Sequence, residues 1–138
     1  MTPLTQIDRK VLLIVDDDSH VVHFLQALLT RKGYGVITAE SGDDAIKKSR
    51  ECKGEIALLL SDFQMPGMSG IDLATRLTTE RPQLKVLLMS GFPNGMLILN
   101  EGWHFLAKPF INSQLCNLIS GLIVPHETSR FAASGGSA

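Results

Sequence analysis

The sequence is poor in cysteine, in long apolar runs and in net charge. Only Cys52 and Cys116 occur among its 138 residues, both within predicted helices and without motif spacing. A disulfide framework is therefore excluded, and the pair reads as buried free thiols of a reducing compartment. No apolar run reaches the roughly 18 residues that a membrane-spanning helix needs. The opening Met1-Thr-Pro-Leu-Thr-Gln-Ile-Asp-Arg-Lys10 lacks the apolar core of a signal peptide, so a cytoplasmic location is expected. The formal net charge is −1, without the basic excess of a nucleic-acid-binding surface. Repeats are absent.

What is present is an ordinary hydrophobic fraction of 44%, in a chain long enough to bury a core without disulfides or metal staples. Five short apolar runs alternate with helical patterns. Val11–Val15 stops at Asp16, and Ser19 to Lys32 follows with Val21, Leu25, Leu28 and Leu29 at helical spacing, ended by Gly33. Val36–Ala39 forms a second run. Ser41, with Asp44 three residues on, opens a helix to Cys52 in the manner of a capping box. Ile56–Leu60 runs into Ser61-Asp62, and Ser69 to Glu80 is a third helix with Leu73 and Leu77 inward and Pro82 beyond its end. Leu84–Met89 ends at Ser90, and Phe105–Ala107 ends at Lys108-Pro109. Asn112 is placed to cap a last helix carrying Leu115, Leu118, Ile119 and Leu122 on one stripe.

Runs that are apolar throughout suit parallel strands covered on both faces. Strand–helix alternation with short connections gives right-handed crossovers. The expected fold is one α/β, doubly wound (βα)5 domain with a parallel five-stranded sheet. Residues 1–9 form an N-terminal extension, 10–124 the domain and 125–138 a flexible tail.

The polar residues fall at informative places. Four apolar strands run straight into reactive groups: Asp16-Asp17, Asp62, Ser90 and Lys108. One polar residue after a strand is an ordinary turn; chemically complementary groups after four strands form a pattern. In an open α/β sheet ligands bind at the carboxyl ends of strands, so these groups converge in one crevice. Three carboxylates there repel unless a cation sits among them. Hard oxygen ligands select Mg²⁺ or a similar ion such as Mn²⁺, which keeps several waters and shares a phosphate. The cation, the Lys108 ammonium and the Ser90 hydroxyl can each take one oxygen of a phosphoryl group, and a carboxylate is a competent nucleophile toward it.

Val15-Asp16-Asp17-Asp18, Leu60-Ser61-Asp62-Phe63-Gln64-Met65-Pro66-Gly67-Met68-Ser69-Gly70, Met89-Ser90-Gly91 and Ala107-Lys108-Pro109-Phe110 resemble the four signature blocks of the response-regulator receiver family. The resemblance extends over Lys10 to Val124 and implies the flavodoxin-like fold of that family, with its strands in the order 2-1-3-4-5. It implies that Asp62 is the phosphoacceptor and Asp17 a direct metal ligand. By the same resemblance Asp16 supports the metal through water, and the backbone carbonyl of Gln64 completes the site. It also makes Ser90 and Phe105 the switch residues and the Lys108–Pro109 peptide cis. The implied partners are a histidine kinase or a histidine phosphotransfer protein in a phosphorelay. The implied protein is a stand-alone receiver, or a receiver module of a larger hybrid kinase or multidomain regulator.

Other classes fit less well. A pseudo-receiver that only docks partners would have lost a phosphosite or metal ligand, and none is lost. An aspartate-nucleophile phosphatase needs a second acid two residues after the nucleophile, where Gln64 stands, so at most slow self-dephosphorylation is expected rather than enzyme activity. A flavin carrier needs a phosphate loop after the first strand, which Asp16-Asp17-Asp18 would repel. Asp18 is expected to cap the first helix, His20 and His23 to face solvent, and Trp103 to be partial core. The stretch between Ser90 and Lys108 is shorter than its counterparts in the family, which predicts a shortened or irregular fourth helix. Its Met96-Leu97-Ile98-Leu99 run cannot face the sheet with all four side chains, so segment 91–102 is expected to dock a second copy or a target protein.

Overall fold

The computed structural model describes residues 9–91 and 103–123. The expected shortened helix and the Met96–Leu99 run, together with the two terminal segments, lie outside these residues. Five strands, β1 (Val11–Val15), β2 (Gly35–Ala39), β3 (Leu58–Asp62), β4 (Lys85–Ser90) and β5 (Trp103–Ala107), are all parallel. They lie in the order 2-1-3-4-5, as the strand–helix alternation and the resemblance together predicted. Four helices are seen among the described residues: α1 (Ser19–Arg31), α2 (Gly42–Glu51), α3 (Gly70–Glu80) and α4 (Asn112–Leu122).

Alternate residues of each central strand feed two cores. Leu13 and Val15 of β1, Leu59 of β3 and Val86 and Leu88 of β4 pack on one face with Ala45 and Ile46 of α2 and Leu73, Ala74 and Leu77 of α3. Leu12, Ile14, Leu58, Leu60, Leu87 and Met89 point to the other face, against Leu25 and Leu29 of α1 and Leu115 and Ile119 of α4. This two-sided burial is why β1, β3 and β4 are apolar at nearly every position. The edge strands β2 and β5 are only partly covered, which explains their weaker patterns, Gly-Val-Ile-Thr-Ala and Trp-His-Phe-Leu-Ala. Ile56 is buried although β3 begins at Leu58, so the apolar run there starts before the strand does.

The helix ends follow local chemistry. Asp18 caps α1 by accepting from the His20 amide at 2.9 Å, and Gly33, with φ +99°, turns the chain out of α1 in a left-handed conformation that glycine adopts without strain. Ser41 and Ser69 cap α2 and α3 through the amides of Asp44 and Asp72. Asp44 does not complete a capping box; its carboxylate sits 3.3 Å from Lys48 instead. At α4 the cap position is Ile111 rather than Asn112, and the Gln114 side chain accepts its amide at 3.0 Å. His20 and His23 are exposed, Trp103 is half-buried, and both free cysteines are half-buried rather than fully buried, because each lies at the margin of a core. Among the described residues no helix is long and apolar enough to cross a membrane.

Candidate functional site at the carboxyl ends of the strands

β1 and β3 are neighbours at the point where the strand order reverses, and their register pairs Val15 with Ser61. The residues that follow, Asp16 and Asp62, therefore emerge side by side. Asp16, Asp17 and Asp62 each place one carboxylate oxygen within 4.8 Å of the others. Burial differs sharply along this trio: Asp16 is buried, Asp62 half-buried and Asp17 exposed. β4 and β5 complete the crevice. Ser90, at the end of β4, is buried and pairs in register with Ala107, one residue before Lys108. The Lys108 amide donates to the Ser90 carbonyl at 2.6 Å, which fixes the start of the lysine side chain. Its ammonium reaches Asp62 Oδ1 at 3.3 Å and lies 3.7 Å from Asp16 Oδ2. The Lys108–Pro109 peptide is cis, as the resemblance implied.

The electrostatics of Asp16 are lopsided. Oδ1 accepts the Asp18 amide at 2.9 Å, whereas Oδ2 is buried without a hydrogen-bond partner. Burial pushes the Asp16 carboxyl above its usual range; the Asp18 amide opposes this and the Asp62 charge adds to it. A buried oxygen left in this way is costly, and a cation held with Asp17 and Asp62 would satisfy it. The donor set, all carboxylate oxygen, suits a hard divalent ion.

This carries a stability prediction. Because the folded chain holds the Asp16 proton more tightly than the unfolded chain, stability without divalent cation falls as pH rises through the ordinary carboxylate range, and stays lowered above the folded value. In Asp16→Asn the Oδ1 bond survives, and the amide can donate toward the neighbouring carboxylates. Denaturant unfolding in EDTA at neutral pH should show Asp16→Asn more stable than wild type by about 1–3 kcal/mol. The gain should vanish below about pH 4.

Gln64, two residues after Asp62, is exposed in the loop that leaves β3. Phe105 is half-buried, and its ring meets that of Phe63, the residue after Asp62, edge-on at 6.2 Å and 83°. Asp16, Asp17, Asp62, Gln64, Ser90 and Lys108 thus lie at this end of the sheet, with Phe105 beside Phe63. Two neighbours acquire a role only in three dimensions. The fully buried Ser61 donates through Oγ to the Asp62 carbonyl at 2.9 Å, and the Gly70 amide donates to the Phe63 carbonyl at 2.9 Å. Both stand inside the Leu60–Gly70 block, at the end of β3 and at the start of α3, where the pattern of residue types carried no sign of a backbone contact.

A doubly wound sheet with an acidic trio and a lysine at its switch point defines a phosphoryl-acceptor type of α/β domain. The response regulator receiver domain model matches residues 12–120, and the chain belongs to that family. It is 33% identical over 121 residues to the response regulator receiver protein CpdR of Brucella abortus, covering 83% of this chain and 98% of that one. To the sensor kinase CckA of the same organism it is 32% identical over 117 residues, 82% of this chain but only 12% of the kinase. Among solved structures it superposes with a TM-score of 0.73 and 27% identity on the response regulator TrrA of Thermotoga maritima, determined in complex with Mg(2+)-BeF, over 82% of this chain and 98% of that one. The chain is therefore a receiver domain of two-component signalling with the flavodoxin-like fold.

Proposed function

We propose that Asp62 accepts a phosphoryl group from a phosphohistidine of a histidine kinase or histidine phosphotransfer protein, and that the product switches a partner interaction. The observation that carries this is the convergence of Asp16, Asp17 and Asp62 within 4.8 Å, with the Lys108 ammonium 3.3 Å from the same Asp62 carboxylate. An Asp62 carboxylate oxygen attacks phosphorus as the bond from phosphorus to the donor imidazole nitrogen breaks. The departing electron pair stays on that nitrogen. Lys108 offsets charge on the acceptor and on the arriving phosphoryl oxygens, and the Ser90 hydroxyl is the donor for another of those oxygens. Asp17 and Asp62, the Gln64 carbonyl and, through water, Asp16 would hold Mg²⁺ or Mn²⁺, which when bound neutralises phosphoryl charge. The buried Asp16 oxygen that accepts no hydrogen bond supports that assignment.

Ser90 and Phe105 form the switch. Ser90 ends the strand next to β3, and the Phe105 ring rests on Phe63, so both sense the residue that is modified. Gln64 offers no acid or base, so the chain acts as a phosphoacceptor with at most slow self-dephosphorylation and not as an enzyme. A cytoplasmic setting agrees with its two free thiols.

Incubation with a small-molecule phosphodonor and Mg²⁺ should add a single phosphoryl group, read as intact mass. Chelation by EDTA should stop the addition. Labelling that is indifferent to the chelator would overturn the metal assignment, and no labelling by any phosphodonor would overturn the phosphoacceptor reading.

A further inference from the structure

Gly70 is the first residue of α3, behind the Ser69 cap, and is buried. Its φ is not positive: among the described glycines only Gly33 and Gly67 have that conformation. Helix propensity also gives no reason for glycine, since alanine is favoured over it by about 1 kcal/mol in a helix. What excludes a side chain is the neighbour. A Cβ built on Gly70 would overlap the Asp62 carbonyl oxygen and lie 3.1 Å from Phe63 Cα and 3.2 Å from Asp62 C. These are backbone atoms and cannot rotate away.

The peptide that Gly70 touches is hydrogen-bonded at both its carbonyl and its amide, and the next carbonyl is bonded as well. Ser61 Oγ donates to the Asp62 carbonyl at 2.9 Å. The Phe63 amide donates to the Met89 carbonyl at 2.7 Å, and the Phe63 carbonyl accepts the Gly70 amide at 2.9 Å. The absence of one side chain thus lets the start of α3 close down on the peptide that carries the Asp62 carboxylate. We infer that Gly70 is a positioning residue for phosphoryl transfer: it sets where the Asp62 carboxylate sits relative to Asp16, Asp17 and Lys108. This rests on Asp62 being the phosphoacceptor. A methyl group must shift the Asp62 peptide or the start of α3, and a misplacement of about 1 Å at a reacting group can cost on the order of 100-fold in rate.

Gly42 supplies an internal control. It too is the first residue of a helix behind a serine cap, and a Cβ there would be crowded, at 2.7 Å from Met68 Sδ and 2.9 Å from Met68 Cβ. Its obstacle is the Met68 side chain, whose sulfur can swing aside while its Cβ must shift slightly with the chain, and no atom of the Asp62 peptide is among the contacts. The test measures labelling by a small-molecule phosphodonor at saturating Mg²⁺ in wild type, Gly70→Ala, Gly42→Ala and Asp62→Asn, with rates normalised to the folded fraction from circular dichroism. Gly70→Ala should lose about 10- to 100-fold in maximal rate with the half-saturating donor concentration little changed, while Gly42→Ala stays within about twofold of wild type. A wild-type rate in folded Gly70→Ala, or equal losses in both alanine variants, overturns the inference. If Gly70→Ala is unfolded in buffer, the same rate is measured in trimethylamine N-oxide, which favours the compact state. Refolding with slow labelling supports positioning. Refolding with wild-type labelling, or failure to refold, overturns it and leaves Gly70 a requirement of folding. Undiminished labelling of Asp62→Asn would instead sink the reading of Asp62 itself.

Discussion

Asp62→Asn should abolish phosphoryl acceptance, with no mass increase at any donor concentration that labels wild type, while its circular dichroism spectrum and melting cooperativity stay native. The asparagine amide keeps the shape of the carboxylate but carries no charge and is a poor nucleophile, so the bond to phosphorus cannot form at a useful rate. A loss to below detection is expected, against the roughly 10²- to 10³-fold that removal of one charge-stabilising group would bring. The substitution also frees the Lys108 ammonium from its 3.3 Å partner and relieves repulsion between Asp62 and the buried Asp16. The folded state should therefore be no less stable than wild type. A second phosphorylatable carboxylate, such as the exposed Asp17, would show itself as residual labelling; peptide mapping of the modified residue would locate it.

How the sequence led to this site depends on where burial is two-sided. β1, β3 and β4 sit between helices on both faces, so their apolar runs, and the polar residues that end them, stand out without structural help. β5 is an edge strand: His104 interrupts its pattern, and two of its five residues went unrecognised. Strand beginnings were less visible than strand ends, as at Ile56 and Leu84, because a buried residue can precede the first ladder position. The chemistry was legible because Asp16, Asp17, Asp62, Ser90 and Lys108 differ in kind from the apolar residues they follow. The backbone contacts of Ser61 and Gly70 were not. A serine and a glycine beside a turn have many uses, and only the approach of α3 to the Asp62 peptide separates this one from the rest. The Asp16 oxygen without a hydrogen bond belongs to the same group, since composition shows a carboxylate but not which of its oxygens accepts one.

Lys108→Ala should leave the fold intact but separate phosphorylation from its structural consequence. The side chain is about one-third exposed, and its stem leaves no core cavity when removed. The backbone bond from its amide to Ser90 is kept in alanine, so β5 and its turn should hold their place. What disappears is the cation that contacts the Asp62 and Asp16 carboxylates together. Among the described residues Lys108 is the only lysine or arginine in an ion pair with Asp16 or Asp62. In the unphosphorylated variant two carboxylates face each other without their counter-charge, which should tighten any divalent cation site's dependence on that cation. On the proposed function, the phosphorylated variant lacks the ammonium that would draw the phosphoryl oxygens toward the β5 end, so no displacement of Phe105 and Ser90 is expected. Amide NMR spectra before and after phosphorylation should therefore differ across β4 and β5 in wild type and differ only around Asp62 in Lys108→Ala. The labelling rate should also fall, by about 10²-fold or more, as expected for one charge-stabilising group. A wild-type pattern of shifts in phosphorylated Lys108→Ala would show that the signal leaves the site by another route, through the Phe63–Phe105 ring contact alone.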